Sequence, residues 1–215
     1  MQELVNVTAI VLSSTPIGEY DRRVVMLTKE RGKITAFAKG ARRQTSKLIA
    51  ATNLFAFGEF KLYPGRNSYT MTEAHIQNYF EELRVDFEGA YYGMFFLEVC
   101  DYYTRENNDE KEFLKLLYQS LKALLAKSLN RKLVQCIFEM KAMVINGEFP
   151  GMPMEGMWQE STEYAVSYIM NSSIEKLYTF TVSEPVLEEM IRIVETYRIR
   201  YIDREFKSLE MLAVL

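Results

Sequence analysis

The hydrophobic period of this chain changes near residue 78, and that change limits which folds are open to it. Before it lie short runs rich in β-branched and aromatic residues: LVNVTAIVL (4–12), Val24–Thr28, KITAFAK (33–39), FAFGEFKLY (55–63) and SYTMTEAHI (68–76). Such runs read as strands. A turn-rich stretch, SSTPIGEYD, separates the first two, and Glu30-Arg31-Gly32 reads as a hairpin turn. Pro64-Gly65-Arg66-Asn67 supplies turn dihedrals between the last two. Five short strands in so little chain predict a small closed barrel, of which the OB-fold is one kind. After residue 78 the apolar spacing becomes three and four: Phe80, Leu83, Phe87, Ala90/Tyr91, Met94 and Leu97. Further helices follow through Phe113–Leu124 and Leu133–Val144, the latter stopped near Asn146-Gly147 and Pro150. Residues 147–182 are less regular. Ser183 reads as an N-cap with Pro185 in the first turn of a helix running past Tyr197, and a short helix at 204–214 ends the chain. The reading is α+β: a small five-stranded β-barrel at 1–79, then an α-helical domain at 80–215.

Charge divides the chain at the same place. Residues 1–80 hold eleven Lys/Arg and six Asp/Glu, net +5; the rest holds fifteen and twenty-three, net −8, within an overall −3. Nine cations and one acid fall between positions 22 and 47. A polyanion-binding surface concentrated in the barrel is the expectation. An 80-residue unit buries only about 60–65% of its unfolded surface, so docking of the two units is expected rather than a free linker.

Strand 33–39 carries the sharpest constellation. Alternation sends Ile34, Ala36 and Ala38 inward and Lys33, Thr35, Phe37 and Lys39 outward. An outward aromatic between two ammonium groups suits a single strand, whose bases stack at roughly 1–3 kcal/mol each while cations follow the phosphates. The competing reading packs Phe37 against the helices and leaves the lysines solvated. The loop Lys39-Gly40-Ala41-Arg42-Arg43-Gln44-Thr45-Ser46-Lys47 extends the same positive charge and can bind phosphates by counterion release. Arg22 and Arg23, being adjacent in a strand, face opposite ways, so one of them faces a ligand. Arg66 at a hairpin tip is a flanking candidate.

The remaining chemistry is sparse. His75 is the only histidine, which excludes Ser/His/Asp, Cys/His and multi-histidine arrangements. Cys100 and Cys136 form neither a metal motif nor a disulfide framework. Neither GxxxxGK[ST] nor GxGxxG occurs. Glu110/Glu112 and Glu188/Glu189 read as solvated helix faces, and Met152–Trp158 as a loop packing on the helices or an adaptable binding lip. No run of about 18 apolar residues and no signal segment is apparent. The expectation is a cytoplasmic, non-enzymatic protein without cofactor, membrane contact or small-molecule substrate.

GEYDRRVVMLTKERGKITAFAKGARRQTSKL (18–48), followed by FGEFKLYPGRNSYTMTEAHI, resembles the bacterial RecO family of recombination mediators; YIDREFKSLEML is similar to that family's C-terminal helix. The resemblance covers the whole chain, most closely residues 1–85. It implies an OB-fold joined to a helical domain, binding of single- and double-stranded DNA, and annealing of complementary strands. It also implies help in displacing single-stranded DNA-binding protein (SSB) for recombinase loading, with RecR and the acidic C-terminal tail of SSB as partners. Many members carry a four-cysteine zinc site after the segment matching Asn146–Pro150. No cysteine occurs here beyond 136, so no metal is expected and residues 150–182 must be held by packing. A cationic apolar groove for the SSB tail is expected in the helical domain, with Lys127, Arg131 and Lys132 as open candidates.

The phosphate contacts expected are Lys33, Lys39, Arg42, Arg43 and Lys47, with Phe37 stacking and Arg22, Arg23 and Arg66 flanking. The alternatives are an OB-fold that recognises RNA through 2′-hydroxyl groups, or an adaptor whose basic patch docks an acidic partner tail.

Overall fold

The computed structural model describes residues 3–214. Strands β1 (Val5–Ile17), β2 (Asp21–Thr28), β3 (Gly32–Ala38), β4 (Phe57–Pro64) and β5 (Tyr69–Asn78) close in the order β1-β2-β3-β5-β4, with β4 returning to β1. Neighbours are antiparallel except β3 and β5, which pair in parallel through Ala36–Tyr69 and Phe37–Thr70. This is the OB-type barrel that the strand pattern predicts. The interior is filled by Val7, Ala9, Val11, Val24, Met26, Ile34, Ala36, Ala38, Phe60, Leu62 and Met71, all buried. Alternating small and large side chains is how so narrow a barrel fills without voids.

One sequence expectation shifts. The stretch Ser13–Ile17 reads as turn, yet it remains strand and pairs with Asp21–Val25. A register irregularity between Val11 and Ser13 absorbs one residue, the bending device of a barrel strand. The turn is confined to Gly18–Tyr20, with Gly18 at φ +55°.

The helices are α1 (Glu81–Val85), α2 (Phe87–Tyr103), α3 (Lys111–Leu124), α4 (Arg131–Ile145), α5 (Glu160–Asn171), α6 (Glu184–Tyr201) and α7 (Lys207–Leu212). The periodic face beginning at Phe80 is therefore two helices. Phe80 itself has φ +49° and lies outside both, though it is buried. Residues 147–182 contain more order than their sequence suggests. Helix α5 buries Thr162, Ala165, Val166 and Ile169, a helical stripe diluted by polar neighbours. Ser183 does cap α6, but its side chain makes no capping hydrogen bond.

Two compact units emerge. One joins residues 1–84 with 97–114, and the other joins 85–96 with 115–215. In the second, Phe96 stacks on Phe138 with ring centroids 4.1 Å apart, and Phe95 meets Phe206 edge-on at 5.4 Å. Buried polar groups also bind its helices together. The Lys141 ammonium donates to the carbonyls of Ile169, Met170 and Ser172 at the end of α5. At its start, the Glu189 carboxylate accepts from Gln159 N and Thr162 Oγ1. Charges sit where the helix dipole favours them. Glu139 on α4, nearly inaccessible, accepts two hydrogen bonds from Arg198 Nη1 on α6, at 3.1 and 2.8 Å.

Two predictions follow from these contacts. Gly32 has φ +64°, and a Cβ there would lie 2.2 Å from the Arg105 carbonyl oxygen. Gly32→Ala should lower stability by about 2 kcal/mol or more in urea unfolding, since the clashing oxygen belongs to the backbone and not to the end of a movable side chain. The second concerns Glu139. Burial pushes its carboxyl above the usual range, while the charge and hydrogen bonds of Arg198 pull it back. A carboxyl raised in the folded state loses stability as pH climbs from the unfolded to the folded value. Arg198→Ala removes the downward pull, so this loss extends to higher pH. The variant should be about 3–5 kcal/mol less stable at neutral pH, with a smaller deficit at pH 5 than at pH 8 in parallel melts.

Candidate nucleic-acid interface

Residues directly opposite one another in a sheet share a face. Following the register round the barrel, Thr15 lies opposite Arg23, Arg23 opposite Phe37, Phe37 opposite Thr70, and Thr70 opposite Tyr63. Since Ala36, Ala38, Leu62 and Met71 point inward, this row points out. It places a guanidinium and two aromatic rings on one band of wall. Arg23 is exposed, Phe37 half-buried, and Tyr63 46% exposed.

The other end of the same face is covered. Residues 101–107, in the same compact unit as the barrel, cross the β2–β3 hairpin. Lys33 N donates to Arg105 O (3.0 Å) and Asn107 N to Arg31 O (3.0 Å). The Lys33 ammonium bonds both the main-chain carbonyl and the Oδ1 of Asp101, the latter at 3.1 Å. Val25 and Leu27, outward on β2 by register, are buried. The outer wall of β2 and β3 thus has a strapped end and an open end.

This sorts the cations. Lys33, expected as a phosphate contact, is instead committed to Asp101. Arg22, expected as a flanking contact, has the parity of Val24 and Met26 and turns to the barrel mouth. Its Nη1 lies 3.2–3.4 Å from Ser14 Oγ, Thr52 O, Thr52 Oγ1 and Asn53 Oδ1. It fastens the 40–56 connection to the strands, and it is Arg23 that faces out. Arg42 donates to the carbonyls of Gly18 and Glu19 at 3.2 and 3.0 Å, and its own amide to Tyr20 O. Its charge stays exposed, but it also braces the β1–β2 turn. Arg43 lies over the Tyr20 ring, 4.8 Å from its centroid, a cation–π contact. Lys39, Lys47 and Arg66 are exposed. Arg66 occupies the tip whose backbone closes through Gly65 N to Ser68 O at 2.8 Å.

Tyr20 and Tyr63 join this surface with no motif in the sequence to mark them. Tyr63 was legible in principle, because strict alternation along FGEFKLY sends it outward. For Tyr20 the signal appears only when the turn brings it beneath Arg43.

Farther along β4 and β5 from Tyr63 and Thr70, the outer wall around Glu59, Lys61, Glu73 and His75 mixes charge signs and includes a Lys61–Glu73 pair. Among the described residues no group of three or more His, Cys, Asp or Glu side chains is placed to hold a metal ion. No helix among them is long and apolar enough to cross a membrane. Burial pushes both cysteine thiols far up, which leaves them unreactive at neutral pH.

Comparison with known proteins bears on this barrel and the helices after it. Residues 1–80 match the family model described as recombination protein O N terminal, and residues 84–152 match that of recombination protein O C terminal. The chain belongs to the RecO family. Similar relatives include the DNA repair protein RecO of Acetivibrio thermocellus, 25% identical across 97% of this chain and 96% of its own length. That of Clostridium perfringens strain 13 is 27% identical across 97% of each chain. In this RecO-family chain the N-terminal match ends two residues beyond β5, so it takes in the whole barrel wall.

The division of the cations is measurable by stability alone. Lys33→Met should lose about 1–2 kcal/mol, because the half-buried ammonium's hydrogen bonds to the Asp101 carbonyl and carboxylate go. Lys39→Met and Arg66→Met should stay within about 0.5 kcal/mol of the parent.

Proposed function

We propose that the open end of the barrel binds DNA, and that this chain acts in DNA repair and recombination as a non-catalytic mediator. A DNA repair role goes with the names that its relatives carry. The observation that carries the DNA contact is the outward row Arg23–Phe37–Thr70–Tyr63, flanked by Tyr20 under Arg43 and by exposed Lys39, Lys47 and Arg66. Rings for bases beside cations for phosphates is the composition a single strand needs. Three strand spacings of about 4.8 Å make the row roughly 14 Å wide, room for two or three nucleotides. Duplex DNA would use the same cations without the rings. Neutralising phosphates lets two complementary strands approach, which supports annealing.

Displacement of SSB and recombinase loading with RecR complete the proposed role. For the acidic SSB tail, the helical unit offers a cavity of about 590 Å³ lined by Tyr92, Cys136, Val194 and Leu209, with exposed Lys132 at its edge. Arg131 is less suited, being paired with Asp86 and Glu88.

The test is anisotropy of a labelled poly-dT strand from low to moderate salt. Four or five phosphate contacts give a log–log slope of about −3 to −3.5, at roughly −0.7 per contact. Arg23, Lys39 and Arg43 changed together to Ala should flatten it by about 2, whereas Lys33→Met should leave it unchanged. A slope indifferent to the triple change would remove DNA from this face and leave the basic segment to a protein partner.

A further inference from the structure

A second surface lies on the helical unit, away from any role given above. A groove of about 760 Å³, within the size range of ligand sites, separates α5 from the segment that enters α6. One wall is the α5 face Glu160, Ser161, Tyr164 and Tyr168; the other is residues 179–183. Tyr164 is 72% exposed, a large ring held in solvent at the groove. Tyr168 is fixed by Phe180, edge-on at 5.2 Å, and by donating to Lys176 O at 3.2 Å.

The second wall behaves as a strand without a sheet. Exposure alternates along it: Thr179, Thr181 and Ser183 are exposed, Phe180 and Val182 half-buried. Ser183 has β-region dihedrals, φ −71° and ψ 159°. Among the described residues, the amides of Thr181 and Val182 have no backbone partner. Such an edge is a template for an added strand. Its electrostatics select the partner. Glu160 lines the groove, Glu163 and Glu184 adjoin the lining residues, and no Lys or Arg is among the lining residues. An acidic peptide or a nucleic acid backbone would meet like charge here.

We propose that this groove binds a basic peptide in extended conformation, pairing with Thr179–Ser183 and laying a Lys or Arg side chain over Tyr164 beside Glu160. A cation over an exposed ring and beside a carboxylate gains from both, while main-chain pairing supplies affinity that depends little on sequence. This occupant differs in sign from the ligand of the barrel face, so the two surfaces would not compete for one partner.

The experiment uses the full chain and a fluorescein-labelled nine-residue peptide alternating Lys/Arg with Val, against a peptide with Glu replacing every cation. The basic peptide should bind at least tenfold more tightly. Tyr164→Ala and Glu160→Lys should each weaken it fivefold or more, with melting temperature and poly-dT binding unchanged. Strand pairing is read from two further peptides, N-methylated on alternate amides. One set of amides points at the protein, so one methylated peptide should lose binding and the other keep it. Equal binding of the basic and acidic peptides overturns the proposal, as does unchanged binding by both variants. Retention of binding by both methylated peptides, or its loss by both, overturns the paired-strand geometry.

Discussion

The parallel pairing of β3 with β5 is short, Ala36 against Tyr69 and Phe37 against Thr70, yet it turns five strands into a closed wall. Without it, β3 and β5 would be the two free edges of an open sheet, with Phe37 and Tyr63 far apart. With it, Arg23, Phe37 and Tyr63 fall into one register row. The pairing depends in turn on small inward side chains. Ala36 and Ala38 on β3 and Ala9 on β1 let the walls approach around Phe60 and Met26. Close packing leaves little tolerance for larger groups at these positions.

Closure alone would leave the whole outer wall of β2 and β3 open. The segment after α2 prevents this by bonding its backbone to the β2–β3 hairpin at Arg31 and Lys33. Gly32 permits so close an approach because it has no Cβ and takes a left-handed turn. What remains exposed is the end carrying Arg23, Phe37, Tyr63 and the β1–β2 turn. The cations divide along the same line. Arg22 through Nη1 and Lys33 through its ammonium are bonded to the protein, Arg42 spends one nitrogen, and Arg23, Lys39, Lys47 and Arg66 keep their donors toward solvent. A guanidinium with several donors can brace a turn and still present charge, as Arg42 does.

In the helical unit, buried charges tie α4, α5 and α6 together. Lys141 closes the carbonyl end of α5, Glu189 its amide end, and Arg198 holds Glu139. The segment before α5 is anchored at Trp158, which lies under Arg192 at 5.6 Å and donates its ring N–H to Pro153 O. Met154 and Met157 stay exposed while Met152 is half-buried, so the loop packs through its tryptophan and first methionine and not through the other two.

The sequence by itself determined the barrel, the helices that follow and the positive band, because these are local or additive. Alternation of Ile34, Ala36 and Ala38 decides which side of β3 is inward, a period of three to four marks a helix, and charges sum wherever the chain goes. The same locality hid α5, whose stripe of Thr162, Ala165 and Ile169 is broken by polar residues, and misjudged Ser13–Ile17, where a bulge carries the strand through turn-forming residues. Only the tertiary structure decided which cations are free. Lys33 and Lys39 are equivalent in the sequence pattern, both outward and both beside Phe37. Their fates differ because Asp101, 68 positions away from Lys33, is brought beside one and not the other. Pairing across such a separation is fixed by how the chain packs, and no local period records it.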